Sequence, residues 1–287
     1  MNFLDELKWQ YKSGGFEQKV IYWNVAVFLI SLVLFFKFKA GYFDYPSWLA
    51  LHSDFGTAIT RPWTFLTYAF FHANFFHLLF NMIILNFAGR LFITYFTQSQ
   101  FIGLYILSAI FAGIIFVFSY YLLDLRSTIV GASGAIMAIL VATTTYAPMM
   151  QLRLLLIGTV RLWQLTAVVV LLDLIYIFAD NTGGHIAHLA GAFFGFAYIK
   201  LLQNGTDLSK IFTMVSDAVS KRFSKNRVPF TKVHRNSPVT PPKTTSRIVT
   251  KDKTQQQIDE ILDKISQSGY DSLTKDEKEF LFRAGKQ

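Results

Sequence analysis

The sequence predicts an all-α, polytopic membrane protein, in which a bundle of six transmembrane helices precedes a small soluble C-terminal helical hairpin. Of its 287 residues, 53% are hydrophobic and only 16% are charged, which is too apolar for an ordinary soluble protein. Apolar segments long enough to cross a bilayer recur along most of the chain. Near the C-terminus, Ile258, Ile261, Leu262 and Ile265 instead keep helical spacing within a polar segment.

Six apolar segments are predicted to span the membrane. The first follows a polar lead, exceeds a signal-peptide core in length and lacks a cleavage site of the A-x-A kind, so we interpret it as a retained span. The fifth is the least regular, because its apolar run is short and contains Asp173. The spans are predicted at residues 20–36, 75–93, 101–123, 129–147, 162–178 and 186–202.

The distribution of Lys and Arg predicts the orientation in the membrane. Basic residues precede the first span, lie between the fourth and fifth, and follow the sixth, so this side is expected to be cytoplasmic. An even number of spans places both termini there, with residues 1–19 as a cytoplasmic segment. We therefore expect an integral membrane protein with its N- and C-termini in the cytoplasm. Residues 37–71 form a large loop on the opposite face, rich in aromatic residues that favour the membrane interface.

The net charge of +9 is concentrated after the last span. Residues 200–253 carry twelve Lys/Arg and three Asp/Glu, so the rest of the chain is close to neutral and nucleic-acid binding is not predicted. Residues 203–227 have the pattern of a basic amphipathic helix on an anionic inner leaflet. Residues 228–253 are rich in Pro, Ser, Thr and basic residues and are interpreted as a linker. Residues 254–287 are expected to form the helical hairpin.

Four polar residues are predicted to lie at similar depth near the outer surface. The second, fourth and sixth spans all start at that face. His77 and Asn81 lie in the first turns of the second span, Ser133 opens the fourth after a glycine, and His188 lies about one turn into the sixth. Ionisable groups at membrane depth are costly, which makes each of them a candidate for function.

Small residues recur every four positions on two of these spans. Such stripes let helix backbones approach closely in lipid. If the two stripes face each other, Ser133 and His188 meet within hydrogen-bonding reach. The stripes are Gly134, Ala138 and Ala142 on the fourth span and Ala187, Gly191 and Gly195 on the sixth.

A serine hydroxyl and an imidazole are the minimum for serine nucleophilic catalysis. The hydroxyl of Ser133 becomes a good nucleophile only when a base such as His188 removes its proton. The tetrahedral intermediate also needs hydrogen-bond donors, for which Asn81, His77 and the Ser133 backbone N–H are available. No carboxylate is expected at the same depth, and the nearest, Asp180, belongs to a loop. A dyad is therefore predicted.

Three stretches together resemble the rhomboid family of intramembrane serine proteases. Their combination is more specific than GxSG alone, and the resemblance covers the predicted six-span core at residues 20–202. It implies cleavage of the transmembrane segments of single-span or multi-span membrane proteins near the extracytoplasmic face, with no cofactor and no metal. The stretches are FFHANFFHLLFNM (residues 70–82), VGASGA (130–135) and AHLAGAFFG (187–195).

The resemblance also implies a role for each matching position. Ser133 matches the nucleophile and His188 the base, while His77 and Asn81 match the oxyanion-stabilising pair. His72 matches a histidine that ties down the first extracytoplasmic loop. The glycines near the site are expected to be structural, and they are Gly131, Gly134, Gly191 and Gly195.

Two departures from the family pattern matter. Met137 stands where the family usually has Tyr or Phe stacked on the catalytic imidazole, so a repositioned histidine is expected. After Gly89 and Arg90 the usual Glu is missing, which leaves the anchoring of the loop open. His185, three residues before His188, is expected to cap the helix or line the mouth of the site.

Two other functions remain open. His72, His77, His185 and His188 could bind zinc in a membrane hydrolase, although a carboxylate at matched depth is missing. Alternatively, the chain could bind membrane clients without cleaving them, as rhomboid-like proteins that have lost the dyad do. The absence of cysteine excludes disulfides, thiolate catalysis and cysteine metal sites.

Overall fold

A computed structural model describes residues 2–154, 158–178, 181–214 and 253–284. The chain forms two compact units, Met1–Lys225 and Asn226–Gln287, and both are mainly helical in their described parts. In the first unit, four helices are long and apolar enough to cross a membrane: α2, α5, α6 and α9. The helices of this unit are α1 (Phe3–Ser13), α2 (Phe16–Leu34), α3 (Phe55–Thr60), α4 (Thr64–Thr67), α5 (Phe75–Ile93), α6 (Gln98–Leu122), α7 (Ser133–Tyr146), α8 (Leu162–Tyr176) and α9 (Thr182–Gln203).

The predicted fourth and fifth spans are short apolar helices. α7 has 14 residues and α8 has 15, against 25 in α6. At a rise of about 1.5 Å per residue, α7 is roughly 21 Å long, less than the hydrocarbon thickness of about 30 Å. Helices therefore occur at all six predicted positions. Four of them are long enough to span a membrane, and α7 and α8 are shorter.

Short antiparallel ladders also occur, which the expectation of an all-α chain missed. Each has only two strands, and strands of two to four residues carry too little alternation to be recognised from sequence. The pairs are β1 (Phe36–Lys37) with β2 (Tyr42–Phe43), β3 (Leu51–His52) with β4 (Thr128–Ile129), and β5 (Gln151–Leu154) with β6 (Gly158–Arg161).

Several predicted span boundaries differ from the helix ends by a few residues, and two of the differences affect residues of the candidate site. The fourth span was expected to be helical from residue 129, but Thr128–Ile129 forms β4 and α7 starts only at Ser133. Gly131 between them has φ of 140°, a conformation that a helix does not contain and that favours glycine. The sixth span was expected from residue 186, whereas α9 starts at Thr182, so both His185 and His188 lie within its first two turns.

Glycines bring α7 and α9 together, as the small-residue stripes predicted. A β-carbon added at Gly191 would overlap the carbonyl group of Gly134, and one added at Gly195 would overlap that of Ala138. Only hydrogen at these positions lets the two backbones approach so closely. This contact fixes the relative positions of the first turns of α7 and α9.

The loop between α2 and α5 is held by hydrogen bonds. The Tyr45 hydroxyl donates to the His72 carbonyl at 2.8 Å, and the Thr67 hydroxyl donates to the Leu49 carbonyl at 2.8 Å. The backbone N–H of Ser127 donates to the Ser53 hydroxyl at 2.9 Å, beside the β3–β4 ladder. The loop is therefore tied both to the start of α5 and to the segment that leads into α7.

A carboxylate does pack beside Gly89, although it comes from α2. Glu17 is buried, and a β-carbon at Gly89 would lie 2.9 Å from the Glu17 β-carbon. Gln98 at the start of α6 donates its amide to Glu17 at 3.1 Å. Glu17 thus links α2, α5 and α6 at the end of the bundle opposite Ser133.

The second unit contains α10 (Lys253–Ser268) and α11 (Lys275–Ala284), joined through a 3-10 turn at Tyr270–Ser272. The Lys264 ammonium lies 2.8 Å from the Glu277 carboxylate. This hydrogen bond and those from Thr274 lower the pKa of Glu277 to about 2. The predicted linker at 228–253 lies outside the described residues except for its last residue, and the predicted basic helix at 203–227 is described only to residue 214.

Candidate active site

A cavity of about 390 Å³ lies among α5, α7, α8 and α9. Most of its walls are apolar, and each of the four helices contributes one polar group. These groups are Asn81, Ser133, Asp173 and His188. A small polar set inside an apolar cavity is typical of a substrate site.

Ser133 is the first residue of α7 and follows a specialised turn. The N–H of Gly131 donates to the Tyr68 carbonyl at 2.9 Å, which ties this turn to the loop before α5. A β-carbon at Gly131 would lie 2.9 Å from Nε2 of His77 and 3.5 Å from Oγ of Ser133. The His77 ring and the Ser133 hydroxyl therefore flank the same glycine.

His188 faces the same cavity from the second turn of α9. The backbone of Ala187 lies against Gly134, where an added β-carbon would be 3.1 Å from the Ala187 carbonyl oxygen. The close helix contact thus brings Ser133 and His188 to the lining of the same cavity. Among the residues that the structure describes, no hydrogen bond joins Ser133 Oγ to the His188 ring.

Asp173 corrects the expectation that no carboxylate lies near the histidine. Its Oδ1 atom is 2.8 Å from Nδ1 of His188 and 2.7 Å from Nδ1 of His185. Asp173 occupies the last turn of α8, and α9 begins six residues after α8 ends, so the two helix ends lie next to each other. Asp180, the carboxylate considered from sequence, lies outside the described residues.

His185 lies in the first turn of α9. Its ring hydrogen-bonds to Asp173 and stacks on Tyr176 with ring centroids 6.1 Å apart, two contacts that the sequence did not predict. The sequence does contain a signal for these contacts, which is an aspartate inside an apolar helix, twelve and fifteen residues before two histidines. The signal identifies the partners of Asp173 only when α8 and α9 are known to be adjacent.

Asn81 and His77 are well placed as hydrogen-bond donors. Asn81 is buried on α5, and its Nδ2 has no hydrogen-bond partner within the described part of the chain. The Ala73 N–H donates to Nδ1 of His77 at 3.3 Å, so in the neutral ring the proton lies on Nε2, which faces Gly131. The Asn74 side chain accepts from the His77 N–H at 2.8 Å and starts α5.

His72 and Met137 are also close to the site. His72 is fully buried, and its ring centroid lies 5.1 Å from that of His77 in an edge-on contact. Its carbonyl accepts from Tyr45 of the long loop. Met137 lines the cavity one turn after Ser133, so a thioether occupies the position beside the catalytic candidates.

These features define an integral membrane protein whose apolar helices surround a mostly apolar cavity with a small polar set. The family model for the Rhomboid domain matches residues 60–204, half of the chain. The chain therefore belongs to the rhomboid family, a family of intramembrane serine peptidases. A second model, for a family of unknown function (DUF6576), matches residues 249–286. No match was found among curated proteins.

Proposed function

We propose that the protein is an intramembrane serine endopeptidase of the bacterial six-span type. It cleaves transmembrane segments of single-span or multi-span membrane proteins near their extracytoplasmic ends. The observation that carries this proposal is the shared cavity, where Ser133, His188 and the unpartnered amide of Asn81 converge among apolar helices. Rhomboid membership supplies the class of substrate.

In the proposed mechanism, Nε2 of His188 accepts the proton of the Ser133 hydroxyl as Oγ attacks the scissile carbonyl carbon. The resulting oxyanion accepts hydrogen bonds from the Asn81 amide, the His77 Nε2–H and the Ser133 N–H. Protonated His188 then gives its proton to the leaving amine, and the peptide C–N bond breaks. A water molecule, deprotonated by His188, hydrolyses the acyl-enzyme and restores Ser133.

In the proposed six-span arrangement, the short helices α7 and α8 leave the site recessed below the membrane surface. α7 and α8 are apolar but short, and a helix of roughly 21 Å that starts at Ser133 places this residue below the outer surface when its other end reaches the inner one. Charged and polar groups at that depth need water, so the cavity opens to the outside. Both termini then lie in the cytoplasm.

The cavity walls fit a transmembrane substrate. The apolar lining includes Ile84 and Phe87 of α5 and Leu165, Val169 and Leu172 of α8. An apolar peptide is compatible with these walls, while its scissile bond reaches the polar groups at the outer end. The gap between α5 and α8 is therefore the proposed route of access.

The remaining parts of the chain are proposed to associate with the membrane surface. Trp48 and Trp63 in the long loop are about half exposed, as expected for side chains in the lipid interface. Residues 203–227 would rest on the anionic inner leaflet. Residues 254–287 would form a soluble hairpin built from α10 and α11, with the Lys264–Glu277 pair between them.

Replacing Asn81 tests the oxyanion site. Asn81→Ala is expected to lower kcat by about 10²–10³-fold with little change in KM, because a donor to the developing oxyanion acts mainly in the transition state. The measurement is cleavage kinetics of a single-span test substrate in liposomes. Asn86→Ala is the matched control, since Asn86 lies on the same helix, accepts from Arg90 at 3.0 Å and does not line the cavity. Equal rates for both variants would contradict the assignment.

The zinc alternative now has one specific observation in its favour. Asp173, His185 and His188 each offer a ligand atom, and these atoms lie within 4.8 Å of one another. The cluster supplies the carboxylate that the sequence had not revealed, although His72 and His77 do not belong to it. Activity that is lost on chelation and survives in Ser133→Ala would establish the zinc enzyme. Client binding without cleavage has no comparable observation.

A further inference from the structure

One oxygen atom of the Asp173 carboxylate accepts hydrogen bonds from two imidazole rings. Nδ1 of His188 lies 2.8 Å from Oδ1, and Nδ1 of His185 lies 2.7 Å from the same atom. The Asp173 side chain is only 8% exposed, whereas the two histidine rings are 23% and 20% exposed. Such a buried acceptor with two donors is a built arrangement and not a surface ion pair.

We propose that Asp173 is a positioning residue that acts through His188, so that the site works as a Ser133–His188–Asp173 triad. This inference rests on the proposed function and replaces the dyad predicted from sequence. Asp173 does not touch the substrate. It controls which nitrogen of His188 carries the proton.

The chemistry follows from the two ring nitrogens. A carboxylate that accepts from Nδ1–H holds the neutral ring in the tautomer whose Nε2 is free, and a free Nε2 is what removal of the Ser133 proton requires. When His188 becomes positive, the same carboxylate stabilises the imidazolium. The mostly apolar cavity strengthens this interaction.

Because Met137 replaces the usual aromatic residue, His188 needs the hydrogen bond to Asp173 to hold its ring in place. It lines the cavity one turn after Ser133, and its flexible thioether constrains a neighbouring ring only weakly. The orientation of His188 therefore depends on the hydrogen bond to Asp173.

His185 has a secondary role in the same group. Its ring donates to Asp173 and stacks on Tyr176 of α8, but it does not line the cavity that holds Ser133. Its hydrogen bond keeps the carboxylate in place beside His188. A substitution of His185 should consequently cost much less activity than one of Asp173.

Asp173→Asn provides the kinetic test. The amide can donate to Nδ1 and stabilise the wrong tautomer, so kcat is expected to fall by about 10²–10⁴-fold with little change in KM. Asp173→Glu should recover part of this loss, and His185→Gln should lower kcat by less than about tenfold. Asp207→Asn is the matched control: this carboxylate accepts from Ser209 and Gln100 outside the cavity, and its replacement should leave kcat unchanged.

Nitrogen-15 NMR of histidine-labelled Ser133→Ala protein in micelles provides a test that does not require a variant at Asp173. His188 should carry its proton on Nδ1, with Nε2 unprotonated. A neutral His188 ring with its proton on Nε2 would overturn the proposal, as would stoichiometric zinc bound at these three residues. Asp173→Asn with kcat within about threefold of wild type would also overturn it. In that case an inactive Ser133→Ala would still leave the proposed protease intact, whereas an active Ser133→Ala would refute the protease itself.

Discussion

Ser133→Ala is expected to abolish cleavage of a single-span substrate, lowering kcat by at least about 10³-fold. The change removes the only oxygen that the proposed mechanism allows to attack the scissile carbonyl. It removes little else, because the Ser133 hydroxyl makes no hydrogen bond within the described part of the chain and does not cap α7. Cleavage in liposomes, with thermal unfolding measured on the same preparation, checks the result.

Ser108→Ala is the matched control for this experiment. Ser108 is a fully buried serine of α6 whose hydroxyl donates to the Leu104 carbonyl at 2.6 Å, and it does not line the cavity. Its variant should keep nearly full activity. His188→Ala should be as inactive as Ser133→Ala, and the double variant should lose no more than either alone, because the two groups act as a unit. Activity retained in Ser133→Ala would contradict the account.

Gly191→Val is expected to have the largest effect on folding. Its β-carbon would overlap the backbone carbonyl of Gly134, and backbone atoms cannot move aside as a flexible side chain can. Separating α7 from α9 should lower the stability by more than the roughly 1–3 kcal/mol typical of overpacking in a core. Thermal unfolding in detergent should shift down by several degrees or more, and cleavage should disappear because Ser133 and His188 separate.

Phe193→Val separates this effect from a general intolerance of α9. Phe193 is 63% exposed on the same helix, so valine there meets no backbone. Its unfolding temperature and activity should stay close to those of the wild type. If Gly191→Val unfolds and cleaves like Phe193→Val, the close contact between α7 and α9 is not what positions the site.

The facing of α7 and α9 could be predicted from sequence because it depends on a local pattern. Glycine and alanine at four-residue spacing indicate which side of a helix can approach another backbone closely. Gly191 and Gly195 do meet Gly134 and Ala138, as that pattern implied. The positions of His77 and Asn81 in the first two turns of α5 could also be predicted, because the apolar segment that forms this helix begins just before them.

The position of Asp173 could not be predicted in the same way. Its partners are twelve and fifteen residues away, across the end of one helix and the start of the next. Hydropathy marks a charged residue in an apolar helix as unusual but does not identify the neighbouring helix that satisfies it. The start of α7 was missed for a similar reason, because the strand pairing of Leu51 with Ile129 is a long-range contact.

Mapping a covalent adduct tests whether Ser133 is the nucleophile. A fluorophosphonate reacts with an activated serine hydroxyl, and peptide mass spectrometry then identifies the modified residue. In the wild type, a single adduct on Ser133 is expected, which substrate blocks and which is absent from His188→Ala. An adduct on a different serine, or cleavage that continues at full rate in protein carrying the adduct at Ser133, would contradict it.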